Sequence, residues 1–114
     1  MKKEEVTAKI YHLCTRGGDW LGEVIITSDG IFSGTTDWGN LTCRWNSFSG
    51  DFRDFILGIN VSYFGGVLFG AISYISHSRE TEKGCYRFAE KILPALQLEI
   101  KEELNQESLT KVTL

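Results

Sequence analysis

The sequence predicts an α+β fold, an antiparallel meander of about four strands packed against two or three helices. Three observations predict it. Segments that alternate with a period of two occupy the chain up to Trp45 and are divided by turn residues. Beyond Phe48 the apolar residues recur at threes and fours, the helical spacing. The length of 114 residues, 42% of them hydrophobic and 24% charged with one proline, suits one ordered domain, residues 1–114, that buries a core without metals or disulfides.

Val6 to Cys14 is expected as the first strand, with Ala8, Ile10, His12 and Cys14 on one face and Lys9, Tyr11 and Leu13 on the other. Thr15 to Asp19 is a turn by composition, and Trp20 to Thr27 a second strand whose centre, Val24-Ile25-Ile26, is β-branched. Ser28-Asp29-Gly30 predicts a hairpin, with Asp-Gly as a two-residue turn of positive φ. Ile31 to Thr36 then pairs back. Asp37-Trp38-Gly39-Asn40 makes the next reversal, and Leu41, Cys43 and Trp45 alternate with Thr42, Arg44 and Asn46 in the last strand. Trp20, Phe32, Trp38 and Trp45 read mainly as packing residues of this sheet, with Trp45 facing inward.

A first helix from about Gly50 to Leu57 follows from Phe52, Phe55, Ile56 and Ile59, with Ser49 placed to cap it and Asp51 in its first turn. From Phe55 to Ser78 there is no charged residue over about 24 positions, enough for a membrane span by length. Asn60, Ser62, Ser73, Ser76 and the glycines at 58, 65, 66 and 70 dilute that stretch, so two core helices fit better than one span. The second would run from about Ser62 to Tyr74, with Phe64, Leu68, Ala71, Ile72 and Ile75 inward and Gly66 and Gly70 allowing close approach. Ser78 caps a last, amphipathic helix whose stripe is Cys85, Phe88, Ala89, Ile92, Leu96, Ile100 and Leu104. Pro94 kinks it or divides it, one kinked helix being preferred. Leu109, Val112 and Leu114 leave a short terminal strand open as the end of the chain.

A net charge of −3 and a pI near 5.3 exclude broad, non-specific attraction to nucleic acid but leave room for a local basic site. Cys14, Cys43 and Cys85 are odd in number and contain no CxxC pair, and Met1 to Leu13 holds no apolar run of signal-peptide length, so the expected compartment is a reducing cytoplasm. His12 and His77 have no neighbour at metal-ligand spacing, and no phosphate-binding, dinucleotide or hydrolase motif occurs. No cofactor, no metal and no enzymatic activity are expected. A Cys/His pair formed only in the fold and a carboxylate pair among Glu23, Asp29, Asp37, Asp51 and Asp54 are the remaining catalytic options, and acids at turns and helix starts have ordinary backbone reasons to be there. The one locale with a rationale for ligand binding is the Asn46 to Gly50 loop at a helix start, where Ser47, Ser49, Arg44, Arg53 and Trp38 could serve a nucleotide or nucleic acid.

The stretch Ser28 to Leu68 resembles a family of small accessory proteins of bacteriophages and prophages. The matching positions are Asp37, Gly39 and Asn40 of a DxGN turn, Arg44-Trp45, Phe52, Phe55 and Ile56 of an FxxFL-like helix, and Tyr63-Phe64. The second helix departs from the pattern with Gly-Gly-Val-Leu, the last helix does not align, and no catalytic residue carries over. The resemblance implies a phage protein in the bacterial cytoplasm, without a membrane. In that setting the expected function is binding to a host protein or complex, for example inhibition of a nuclease or a CRISPR-type defence complex. The carboxylates proposed to carry it are Glu99, Glu102, Glu103 and Glu107, with Asp51 and Asp54 as a second set. The alternative is the nucleotide or nucleic-acid module described above.

Overall fold

A computed structural model describes residues 3–72 and 78–113, with side chains through 109. Four strands come first: β1 (Ala8–Cys14), β2 (Trp20–Thr27), β3 (Ile31–Thr36) and β4 (Gly39–Arg44). They form an antiparallel meander in the order β1-β2-β3-β4. Three helices follow, α1 (Phe52–Gly58), α2 (Val61–Ile72) and α3 (Arg79–Thr113). The expected α+β architecture is therefore present. The shortest principal extent is 22 Å, the depth of one sheet and one layer of helices.

Register explains which sheet face is covered. Tyr11 pairs with Val24, Ile26 with Phe32 and Phe32 with Cys43, and all of these are buried. Their neighbours along each strand face solvent, Ile10 at 57% exposure. A bulge between Leu13 and Cys14 lets Leu21 also pack on the core. The β2–β3 connection is a three-residue loop and not the expected two-residue turn. Gly30 N–H donates to Thr27 C=O at 3.2 Å, and of Ser28, Asp29 and Gly30 only Gly30 has positive φ.

Between the layers lies an aromatic cluster. Trp45 is buried, as expected, and stacks on Phe64 at 6.1 Å while meeting Phe52 and Phe55 at 5.7 and 5.4 Å. Phe32 meets Phe64 edge-on at 5.0 Å and Phe88 at 6.3 Å. Trp20 and Trp38, by contrast, are half exposed.

The helix boundaries bring several corrections. Asp51, not Ser49, caps α1, its carboxylate accepting from Arg53 N–H at 2.9 Å. An ionised cap two residues nearer the apolar start satisfies the first free N–H groups and favours the helix dipole. At the other end, Gln97 of α3 donates Nε2 to the carbonyls of Ile56 and Ile59, both at 3.0 Å. Asn60 then accepts from Tyr63 N–H and opens α2. In α2 the close approach is at Gly65, where any Cβ would collide with the Tyr86 ring, whereas Gly66 and Gly70 are exposed. Phe64 and Leu68 are buried, Ile72 is half-buried and Ala71 is exposed; Tyr74 and Ile75 lie outside the described residues.

α3 is one helix of 35 residues that runs through Pro94. Ser78 caps it, accepting from Thr81 N–H at 3.1 Å. Its stripe of Cys85, Phe88, Ala89, Ile92, Leu96 and Ile100 is buried against the sheet and the other helices. The terminal strand that the sequence left open does not form: the chain is helix through Thr113. Among the described residues no single helix is long and apolar enough to cross a membrane; α1 and α2 pass only as a pair bent by 115°.

Candidate partner-binding site

The charged end of the molecule is built around Arg53. Its side chain is only 13% exposed and meets Asp51 at 2.7 Å, Glu103 at 3.0 Å, and Glu107. α1 supplies the guanidinium and its own cap, while α3 supplies the two glutamates one helical turn apart. Glu103 accepts in addition from the Tyr11 hydroxyl at 2.5 Å and pairs with Lys9 at 3.1 Å, so β1 joins the same network.

Each protonation state has a cause. The Asp51 hydrogen bond, followed by that of Glu107, holds Arg53 more firmly protonated than usual. Arg53 in turn lowers the Asp51 carboxyl below its ordinary value. Burial works against the Glu103 anion, but hydrogen bonds from Tyr11, Arg53 and Lys9 outweigh it and the net shift is downward. Burial, then the Glu103 bond, raises the Tyr11 phenol.

Beside this network is an open groove of about 520 Å³ lined by Tyr11, Glu99, Glu102, Glu103, Asn105 and Gln106. Most of the carboxylates expected to bind a partner thus come together. Glu99, Glu102 and Glu103 line the groove, and Asp51 and Glu107 adjoin it through Arg53. Asp54 is exposed in the first turn of α1 and takes no part in the Arg53 pairs. Glu99, Glu102, Glu103, Glu107 and Asp51 adjoin two cations, Lys9 and Arg53, which pair with the last three of them. The excess is as large as the net charge of the whole chain, −3.

The ligand-binding alternative is not assembled in the same way. Arg53 is committed to carboxylates, and Arg44 pairs with Asp29 at 3.1 Å on the helix-free face of the sheet. Ser47 and Ser49 are exposed in the loop before α1. Trp38 stands at the β3–β4 reversal, 6.4 Å from Phe88 and under the Lys91 ammonium at 5.7 Å. Sequence reasoning did not single out Tyr11 and Lys9. The only available signal was that both alternate with the exposed face of β1.

A model described as a phage family matches residues 1–80 of this chain. The chain belongs to that family. No curated protein and no solved structure matches it. In this phage-family chain the matched stretch comprises the sheet, α1 and α2 and ends at the second residue of α3. Lys9, Tyr11, Asp51 and Arg53 lie inside it, and the glutamates of α3 lie beyond. Cys43 is buried, which pushes its thiol up to about 12, and burial also raises Cys85. Among the described residues no group of three or more His, Cys, Asp or Glu side chains is placed to hold a metal ion. His12 pairs with Glu23 at 3.5 Å in the open, and His77 lies outside the described residues.

Proposed function

We propose that this phage protein works by binding a host protein in the bacterial cytoplasm rather than by catalysis, and that it does so through the acidic groove beside Tyr11. The observation carrying this reading is the convergence of Glu99, Glu102 and Glu103 on one groove, flanked by Asp51 and Glu107. Carboxylates held in a fixed array complement a basic surface, and complementarity of that kind governs encounter rate and choice of partner. A basic surface is what a nucleic-acid-binding protein presents to phosphates. In its narrower form the reading makes the protein an occluding inhibitor of a host nuclease or CRISPR-type defence complex.

The network gives the array its rigidity. Arg53 and Lys9 hold Glu103, Glu107 and Asp51 in place, while Glu99 and Glu102 make none of these ion pairs. The test is affinity purification of the tagged chain from infected host cells, with elution by a salt gradient. One stoichiometric partner, rich in Lys and Arg and released by moderate salt, is the expected result. A partner retained through high salt, or capture of nucleotide or nucleic acid in place of protein, would overturn it.

A further inference from the structure

β1 is an edge strand whose outer side is unpaired. Ser28 N–H donates to Thr7 C=O, which fixes Thr7 and Ser28 as a hydrogen-bonded pair. Alternation then turns the N–H and C=O groups of Lys9, Tyr11 and Leu13 toward β2 and those of Ala8, Ile10, His12 and Cys14 outward. All four outward residues are exposed, and none of their backbone groups bonds elsewhere among the described residues. An open edge of this length is a template for another strand. β4, the opposite edge, turns Asn40, Thr42 and Arg44 outward by the same reasoning.

Charge distinguishes β1 and identifies what would lie on it. Past its end is a second groove of about 520 Å³, between the β1–β2 turn and the middle of α3. Leu13, Leu21, Pro94 and Leu98 form its apolar wall, and Arg16, Lys91 and Lys101 outnumber its one carboxylate, Glu99. Arg16 and Lys101 make no ion pair among the described residues. Ahead of β1 stand Lys3, Glu4, Glu5 and Val6, all exposed, with one negative charge in excess. The edge is therefore acidic at one end and basic at the other.

We propose that two copies of this chain join β1 to β1 in antiparallel register about Ile10, each placing Glu4 and Glu5 in the basic groove of the other. This register pairs Ile10 with Ile10 and Ala8 with His12, so every outward residue is used and about six hydrogen bonds form. A slip that centres the pairing on Tyr11 would also pair Ala8 with Cys14, but it sets Glu4 and Glu5 opposite Gly18 and Gly17 and away from Arg16, so charge selects the register about Ile10. The same register sets Glu4 opposite Arg16, Glu5 opposite Thr15 and Val6 opposite Cys14. Ile10 covers its own exposed side chain against its counterpart. Lys9 falls opposite the second copy's Tyr11, at the rim of that copy's acidic groove. A twofold interface requires a surface that complements itself when reversed, and this edge meets that condition. The product is a continuous sheet of two four-stranded halves. The pairing goes beyond the host-binding reading and stands without it.

Sedimentation velocity of the full chain across a concentration series tests the pairing. A monomer–dimer equilibrium that weakens with salt is expected. Ile10→Pro removes an outward N–H that the fold does not use and should give monomer with an unchanged circular dichroism spectrum. Arg16→Glu should weaken the dimer by roughly tenfold or more, as should Glu4→Arg with Glu5→Arg. Mixing those two chains should restore association, because each like-charge contact then becomes an opposite-charge one; this arm decides the matter even if Ile10→Pro fails to fold. Monomer at every concentration would overturn the proposal. So would a dimer indifferent to all these changes, which would locate association elsewhere, such as the β4 edge.

Discussion

The aromatic layer between sheet and helices and the charged end around Arg53 are built by opposite means. In the first, rings from β3, from Trp45 just past β4, and from α1, α2 and α3 exclude water, and the stabilisation scales with apolar area. In the second, three carboxylates, Asp51, Glu103 and Glu107, are held by two cations at a partly wet surface, where Coulomb attraction is offset by solvation. The first region should dominate stability and tolerate no change of shape. The second should contribute little to stability and leave charge available for a partner.

Trp45→Ala gives the sharpest test of the first half. It empties the centre of the cluster and removes the Nε1 hydrogen bond to the Tyr63 hydroxyl, so urea denaturation should show a loss of about 3–5 kcal/mol. A neighbouring pair of glycines comes next. Gly65→Ala drives a methyl into the Tyr86 ring and should cost about 1–3 kcal/mol. Gly66→Ala brings a methyl only to ordinary contact with the Tyr86 hydroxyl, at 3.5 Å, and should be neutral or slightly stabilising, by up to about 1 kcal/mol. Equal effects from the two would show that α2 lies on α3 by a different face.

At the charged end the expected effects are smaller. Arg53→Met leaves Asp51, Glu103 and Glu107 without their shared cation and should cost about 1–2 kcal/mol, between the values for exposed and buried pairs. The pH dependence follows from the sign of the shifts. Asp51 and Glu103 both have lowered carboxyl pKa values in the fold, so their contribution is complete above the ordinary carboxylate range and is lost as pH falls through it. The denaturation midpoint should therefore be flat near neutrality and fall below about pH 5. In Arg53→Met that fall should be shallower.

The same contrast decides how much was legible in the sequence. Period-two alternation located β2 and β3 at the ends observed, and the helical stripe of α3 named six residues that are buried, missing Leu93 and including Leu104, which is half-buried. Such signals are local: a strand or helix repeats its environment every two or every three to four residues. Local competition between adjacent candidates is where the reading failed. Ser49 and Asp51 both fit a cap, and Gly65, Gly66 and Gly70 all fit a close approach, so only the partner element selects among them. The Arg53 network was illegible for a stronger reason. Its bonds join residues 54 positions apart, and the Tyr11–Glu103 bond spans 92, with no periodicity to announce either. The carboxylates of α3 were named from their density alone, without the cation that organises them.

One double variant, Glu99→Lys with Glu102→Lys, tests the division most directly, because it reverses the groove's charge and leaves every ion pair of Arg53 in place. Urea denaturation and capture of the host partner should be measured on the same preparation. A stability change within about 0.5 kcal/mol and loss of capture are expected. Full capture at unchanged stability would contradict this and remove the acidic groove as the binding site.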